Sequence, residues 1–346
     1  MSERGGLRFP WPAPPDDGTP REVAPGVLWI RLPLEMVTDH VNVWALDDGA
    51  GWTLVDTGLD TPGAHAALGR ALATPRMAGK PVTRVIATHH HPDHVGQVAR
   101  FAAAGAELWT TRSAWLNARM LHLDARDGIC PETEVFWRRA GMAEDQLARL
   151  AAHSAESLWR HVGPLPPSYR RIAAGDEIVA GGRRWHVATG HGHAPEHAVL
   201  FSLDDDLVIG GDQMLPSISA NIGVLASEPE ADPIGEWLDS LHAMAALAEE
   251  RHLVLPGHGL VYRGLPLRLE QMIARRRSGL DRLRGLLGAG VRTVPECFPA
   301  LYRRPITDEL FTLALSEAVA HLNHLARLGQ ARRDTGADGL WRWSAV

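Results

Sequence analysis

The sequence predicts an α/β protein: a layered sandwich with a helical insertion, followed by a small, mostly helical C-terminal domain. Three observations carry that expectation. Short apolar runs with strand character come first, helical segments follow, and strand runs then return, which is the order of a layered fold. Side chains able to ligate a metal stand just beyond several of those runs, where α/β sheets place their sites. Past residue 265 strand signals give way to helical pattern and arginine accumulates. From Leu267 to the end there are 13 Arg against 8 Asp and Glu, although the whole chain has a formal charge of −6. That asymmetry marks a second domain over 266–346.

The elements follow in order. Residues 1–20 include a proline-rich stretch and read as an irregular arm, one able to wrap a neighbour in a homodimer. The first domain is expected over 21–265. Val27–Leu32, Val41–Leu46 and Gly51–Val55 form a β-meander with an Asp47-Asp48-Gly49 turn signal, ending at Asp56-Thr57-Gly58. Thr61-Pro62 opens a helix with Ala66, Ala67, Leu68 and Leu72 on its apolar side. Val82–Ala87 suits a buried strand; a histidine-rich loop and a helix around Val95–Ala104 follow. Residues 111–161 read as helical throughout, with Trp115, Leu116, Met120, Phe136, Trp137, Leu158 and Trp159 among their apolar side chains. Strands return at Arg184–Ala188, Ala198–Leu203 and Leu207–Ile209. A loop, a helix near Ile234–Ala248 and a strand at Leu253–Leu255 complete the domain. From Thr293 the pattern is helix, helix, then a short glycine-punctuated tail.

Composition narrows the class. With 346 residues, 45% of them hydrophobic, the chain can bury one sizeable core. Lys80 is the only lysine. The net charge argues against a protein built to coat nucleic acid. Cys130 and Cys297 are isolated, which makes no disulfide framework. No signal-peptide apolar region and no apolar run of about 18 residues is present, so the expectation is a cytoplasmic protein without a membrane span.

The decisive segment is Thr88-His89-His90-His91-Pro92-Asp93-His94. His89 and His91 are two apart, so in extended chain their rings project to one side. Asp93 and His94 fall at the start of the next helix and face a second point. Such a loop can feed two adjacent ions, and imidazole with carboxylate suits zinc, with iron, manganese or nickel as alternatives. Three further segments end strands in the same way: Gly190-His191-Gly192-His193, Gly210-Gly211-Asp212 and Pro256-Gly257-His258-Gly259.

Over residues 25–265 the chain resembles the metallo-β-lactamase superfamily, all five of whose signatures occur in order. Asp56 matches the first, His89, His91, Asp93 and His94 the second, His193 the third, Asp212 the fourth and His258 the fifth. The resemblance implies a four-layer αββα sandwich and a pair of divalent metal ions. His89, His91 and His193 would hold one ion, Asp93, His94 and His258 the other, with Asp212 bridging. Asp56 would orient a ligand from behind. The third signature usually reads H-[ST]-P-G, whereas this chain has His193-Ala194-Pro195-Glu196-His197. His193 is chosen over His191 because it precedes the proline. His197 and His191 then become supporting residues, and His90 points away.

The implied chemistry is attack by a metal-bridging hydroxide on a carbonyl, with Asp93 and Asp212 as the catalytic carboxylates. Overall the chain is similar to the branch that joins a glyoxalase II-like domain to a winged-helix-like C-terminal domain, the lactamase-β-2-like proteins. The expected substrate is a small thioester or ester, acyl-CoA-like or lactone-like. The helical insertion at 111–161 and the loop from Gln213 to Pro229 would shape an apolar acyl pocket. Two other enzyme readings stay open: an endoribonuclease, motivated by Arg275-Arg276-Arg277, and a mononuclear iron sulfur dioxygenase. Against the former, those arginines read as a solvated helix face.

Overall fold

Val27–Leu32 is apolar but for Arg31, without strict alternation, because both faces of its strand are covered. The computed structural model of the chain describes residues 2–35, 38–125, 128–153, 158–217 and 219–346. The described strands up to residue 263 are β1 (Ser2–Arg4), β2 (Leu7–Phe9), β3 (Arg21–Ala24), β4 (Val27–Pro33), β5 (His40–Asp47), β6 (Trp52–Val55), β7 (Val82–Ile86), β8 (Glu107–Thr110), β9 (Arg170–Arg171), β10 (Glu177–Ala180), β11 (Arg183–Gly190), β12 (His197–Ser202), β13 (Leu207–Gly211), β14 (Leu253–Pro256) and β15 (Tyr262–Arg263). They form one sheet in the order β3-β4-β5-β6-β7-β8-β9 and a second in the order β1-β2-β15-β14-β13-β12-β11-β10.

Side-chain alternation along β4 and β5 builds two cores. Val27, Trp29, Trp44 and Leu46 join Trp185, Val187, Leu200, Ile209 and Leu255 of the second sheet. Leu28, Ile30, Val41 and Val43 pack on the opposite face with Ala67, Leu68, Val98 and Phe101 from helices. Those helices are α1 (Pro62–Leu72) and α3 (Val98–Ala103), which follows the single turn α2 (Pro92–Val95). Thr61 caps α1, accepting from the Ala64 amide at 3.3 Å, and Pro62 opens it. The single helix expected around Val95–Ala104 is broken because the loop after β6 crosses it. A Cβ on Gly96 would lie 2.5 Å from the Gly58 carbonyl oxygen, and the Gln97 amide side chain donates to the Thr57 carbonyl oxygen at 2.8 Å.

The chain divides into two compact units. The first comprises Met1–Ala125, Leu158–Ala220 and Ala243–Leu269, and holds both sheets. The second comprises Arg126–Ser157, Asn221–His242 and Glu270–Val346. The stretch read as one helical insertion is therefore shared: α4 (Arg112–Leu123) and a 3-10 turn at Leu158–His161 belong to the first unit, and α5 (Pro131–Ala140) and α6 (Glu144–His153) to the second. Residues 126–127 and 154–157 of that stretch lie outside the described residues.

Further helices are α7 (Pro233–Ala245), α8 (Leu265–Gly288), α9 (Phe298–Leu301) and α10 (Asp308–Arg327), followed by a hairpin of β16 (Ala331–Thr335) and β17 (Trp341–Ala345). Within the second unit α10 is the central helix. It buries Leu315, Val319 and Leu322 beside polar groups that hold the segment before α7. Ser316 donates to the Val224 carbonyl oxygen at 2.8 Å, and Asn323 donates to those of Pro229 and Ala231 at 2.9 Å each. The arginine triplet is not the uniformly solvated face expected: Arg276 is buried in an ion pair with Glu317.

Two other expectations are corrected. Within the arm, β1 and β2 pair with each other and β2 joins the edge of the second sheet through β15, because Leu7 and Phe9 alternate into its core. The glycine-punctuated tail is the hairpin, whose Trp341 and Trp343 are buried. Short strands β3, β8, β9, β10 and β15 carry too few apolar residues to stand out in isolation. No helix of the described residues is long and apolar enough to cross a membrane.

Candidate metal centre

The ligand-type side chains meet because the strands carrying them end at one place. Asp56 follows β6, His89 and His91 follow β7, and Asp93 and His94 lie in α2. His193 follows β11, Asp212 follows β13 and His258 follows β14. His89 Nε2 lies 3.0 Å from His91 Nδ1, and the His193 ring is centred 4.4 Å from that of His91. His94 Nε2 stands 3.6 Å from Asp93 Oδ2 and 3.5 Å from Asp212 Oδ1. Asp212 Oδ2 lies 3.4 Å from His193 Nε2 and 3.3 Å from His258 Nε2, which is itself 3.3 Å from Asp93 Oδ2. Among the described residues three overlapping groups could each hold an ion: His89, His91 and His193; His89, His94 and Asp212; and Asp93, His94 and His258. His90, His191 and His197 belong to none of them.

Hydrogen bonds select the tautomers. Asp56 Oδ1 accepts from the Thr88 amide at 2.8 Å, and its Oδ2 accepts from the Thr88 hydroxyl at 2.9 Å and from His94 Nδ1 at 2.8 Å. With its one proton given to Asp56, the Thr88 hydroxyl meets His89 Nδ1, 3.0 Å away, as an acceptor. His258 Nδ1 donates to the His40 carbonyl oxygen at 2.6 Å. His89, His94 and His258 therefore all carry Nδ1–H and present bare Nε2 lone pairs inward. Asp56 does this from a left-handed φ of 63°, a conformation that costs a non-glycine residue about 1–2 kcal/mol.

The residues fit a cation. His94 Nε2 and Asp212 Oδ1 are buried, make no hydrogen bond and lie 3.5 Å apart, two acceptor atoms unless a proton or a metal ion stands between them. Such a contact is unfavourable without a positive centre between them. Protonation tells the same story. Burial pushes the His94 imidazole down, but Asp93, Asp212 and Asp56 outweigh it and hold the group well above its ordinary value. At His258 burial is again outweighed, chiefly by Asp212, and the group is raised to about 10. Burial would raise the Asp212 carboxyl, yet His258 and His94 hold it well below the carboxylate range. His89 and His91 are pushed well down, first by burial and then by neighbouring imidazoles. The carboxylates draw positive charge into a pocket where His89 and His91 resist carrying it, and a divalent cation supplies that charge. Gly257 makes room for it: a Cβ there would stand 2.2 Å from Asp212 Oδ1.

The sequence reading missed the residues that hold His258. Asn42 of β5 is fully buried. It accepts from Trp29 Nε1 at 2.7 Å and donates to the Pro256 and Gly259 carbonyl oxygens at 2.9 and 3.0 Å. His40 Nε2 accepts from the Gly259 amide at 3.0 Å. A lone asparagine within the apolar run Val41–Leu46 was the available signal, since a buried amide needs partners.

Glu196, where the third signature usually has glycine, keeps glycine-like backbone with φ of 50°. Its side chain turns back onto α4. There Oε2 accepts from the Ser113 amide at 2.8 Å and the Ser113 hydroxyl at 2.5 Å, satisfying an otherwise orphaned donor in the first helical turn. The carboxyl is consequently lowered even though partial burial opposes it.

The fold and these signatures define the class. The Metallo-beta-lactamase superfamily model matches residues 36–258, and the Metallo-beta-lactamase-like C-terminal domain model matches residues 280–346. The chain belongs to the metallo-beta-lactamase superfamily. It is similar to a beta-lactamase domain protein from Burkholderia ambifaria, with 34% identity, a TM-score of 0.89 and 98% of each chain covered. It is also similar to a metallo-beta-lactamase family protein from Thermus thermophilus, at 26% identity and a TM-score of 0.79, covering 94% of this chain and 100% of that one. A third relative, "Probable metallo-hydrolase YqjP" of Bacillus subtilis (strain 168), is 27% identical over 312 residues, which is 86% of this chain and 92% of that protein.

Proposed function

We propose that the protein is a hydrolase that binds two divalent cations, zinc first among them, and cleaves a small thioester or ester of acyl-CoA-like or lactone-like chemistry. The observation that carries this reading is the position of Asp212 Oδ2, 3.4 Å from His193 Nε2 and 3.3 Å from His258 Nε2. His89, His91 and His193 would hold one cation and Asp93, His94 and His258 the other, with Asp212 shared. Cations bound there act as Lewis acids that polarise a carbonyl and acidify water. Asp56 and Thr88 keep the His89 and His94 lone pairs aimed inward, and the His40 carbonyl does so for His258. Asp93 is assigned to carrying the proton from water to the leaving group.

The hydrolase name of the Bacillus relative supports this reading. So does Trp159 of the 3-10 turn at Leu158–His161, whose ring lies parallel to that of His90 and gives the histidine loop an apolar neighbour. Against RNA as substrate, the middle arginine of the triplet is buried in an ion pair. Two cysteines without a disulfide suit the cytoplasm.

The test is turnover of thioesters, lactones, β-lactams and single-stranded RNA by metal-replete protein, each at low and moderate salt. Acyl turnover with weak salt dependence is expected, whereas backbone-phosphate binding falls steeply with salt. Efficient RNA cleavage, reduced by Arg275 or Arg277 substitution and with no acyl substrate turned over, would overturn the proposal.

A further inference from the structure

His197 opens β12 and is fully buried, yet it belongs to none of the groups that could hold an ion. Its Nε2 accepts from the Asp212 backbone amide at 3.1 Å. The register of β12 on β13 pairs Leu200 with Ile209 and Phe201 with Val208; continued three residues further it brings His197 opposite Asp212. By then the second strand has turned aside, with Gly211 at a φ of 48°. A ring nitrogen takes the place of the ladder carbonyl.

The same peptide unit is held from its other end, because the Gly211 carbonyl oxygen accepts from the Gly257 amide at 2.8 Å. The imidazole also stacks on His89, with ring centres 4.5 Å apart and planes 22° from parallel. It fits only because residue 211 is glycine: a Cβ there would stand 2.4 Å from His197 Cε1.

We propose that His197 is a positioning residue that sets the geometry of the metal centre by fixing the Asp212 peptide and the His89 ring together. The proposal rests on the reading of Asp212 as the shared ligand. The hydrogen bond does the positioning, and the stack is secondary. His197→Phe keeps a ring of similar volume but removes the acceptor, whereas His197→Gln keeps an acceptor and removes the stack.

The experiment measures Zn(II) affinity of the full chain by competition with a chromophoric chelator, and the Co(II) d–d spectrum as a reading of ligand geometry. His197→Phe is expected to bind about 10–100-fold more weakly, the usual consequence of losing a group that orients a ligand, with an altered cobalt spectrum. His197→Gln is expected within about threefold of wild type by the same reasoning. Unchanged affinity and spectrum in His197→Phe, or equal impairment in His197→Gln, would overturn the proposal. If His197→Phe does not give folded protein by circular dichroism, His197→Gln alone decides, and a loss beyond about tenfold sinks it. Wild-type protein taking up fewer than two ions is a separate failure, of the metal-centre reading itself.

Discussion

At the scale of single residues, the centre depends on atoms that touch no substrate. Thr88 has one hydroxyl proton and two tasks, donating to Asp56 and accepting from His89. Thr88→Val keeps the volume and removes both. Loss of metal affinity by about 10–100-fold is expected, with the fold retained; isothermal titration with Zn(II) checks this, and unchanged affinity contradicts the tautomer assignment. Asp212→Ala should abolish turnover with little effect on the fold, because the carboxylate proposed to be shared between two cations would set the spacing of the ligands. Activity within about tenfold of wild type, roughly 1.4 kcal/mol of barrier, would remove Asp212 from that role.

At the scale of elements, Glu196 joins the third signature to α4. The side chain caps the helix while the backbone adopts a conformation glycine would take without strain. Two variants separate these effects. Glu196→Ala loses the cap and keeps the left-handed φ, so it should be destabilised by about 1–2 kcal/mol. Glu196→Gly also loses the cap but relieves the backbone, recovering about 1 kcal/mol. The expected order of thermal midpoints is wild type, then Glu196→Gly, then Glu196→Ala. An alanine variant as stable as wild type would deny the cap any role.

Across the whole molecule, binding and reactivity report on the same architecture. A ligand that binds only the folded state raises its stability by mass action, so chelation should lower the thermal midpoint and stoichiometric Zn(II) should restore it. A midpoint indifferent to chelator means the centre is empty under those conditions. Uptake of one tightly bound ion, with Asp93 and His258 uncoordinated, would replace the two-cation reading. The two thiols should also differ. Burial pushes the Cys297 thiol up to about 12, with Glu296 adding to it, whereas Cys130 is half-buried. A thiol reagent should titrate one cysteine in the native protein and two in denaturant. Two fast-reacting thiols under native conditions would show the packing around Cys297 to be open.

The sequence by itself determined the fold class and which side chains gather. Both follow from local features: apolar runs mark buried strands, and an HxHxDH segment after such a run places imidazoles and a carboxylate at its end. His89, His91, Asp93, His94, Asp212 and His258 were legible in this way, and the choice of His193 over His191 came from the resemblance to the family's third signature. Only the tertiary structure decided how they are held. Asn42 reaches Pro256 and Gly259, and His197 reaches Asp212, across gaps in the chain that no periodicity records. The hairpin at Ala331–Ala345 and the strands β1 and β2 were misread for a related reason. A strand of three to five residues carries too little pattern of its own, and it becomes a strand when a neighbouring edge or a buried face receives it. Glu196 is the sharpest case. Its identity departs from the family pattern, and its role follows from the nearness of the α4 N-terminus, 83 residues away in sequence.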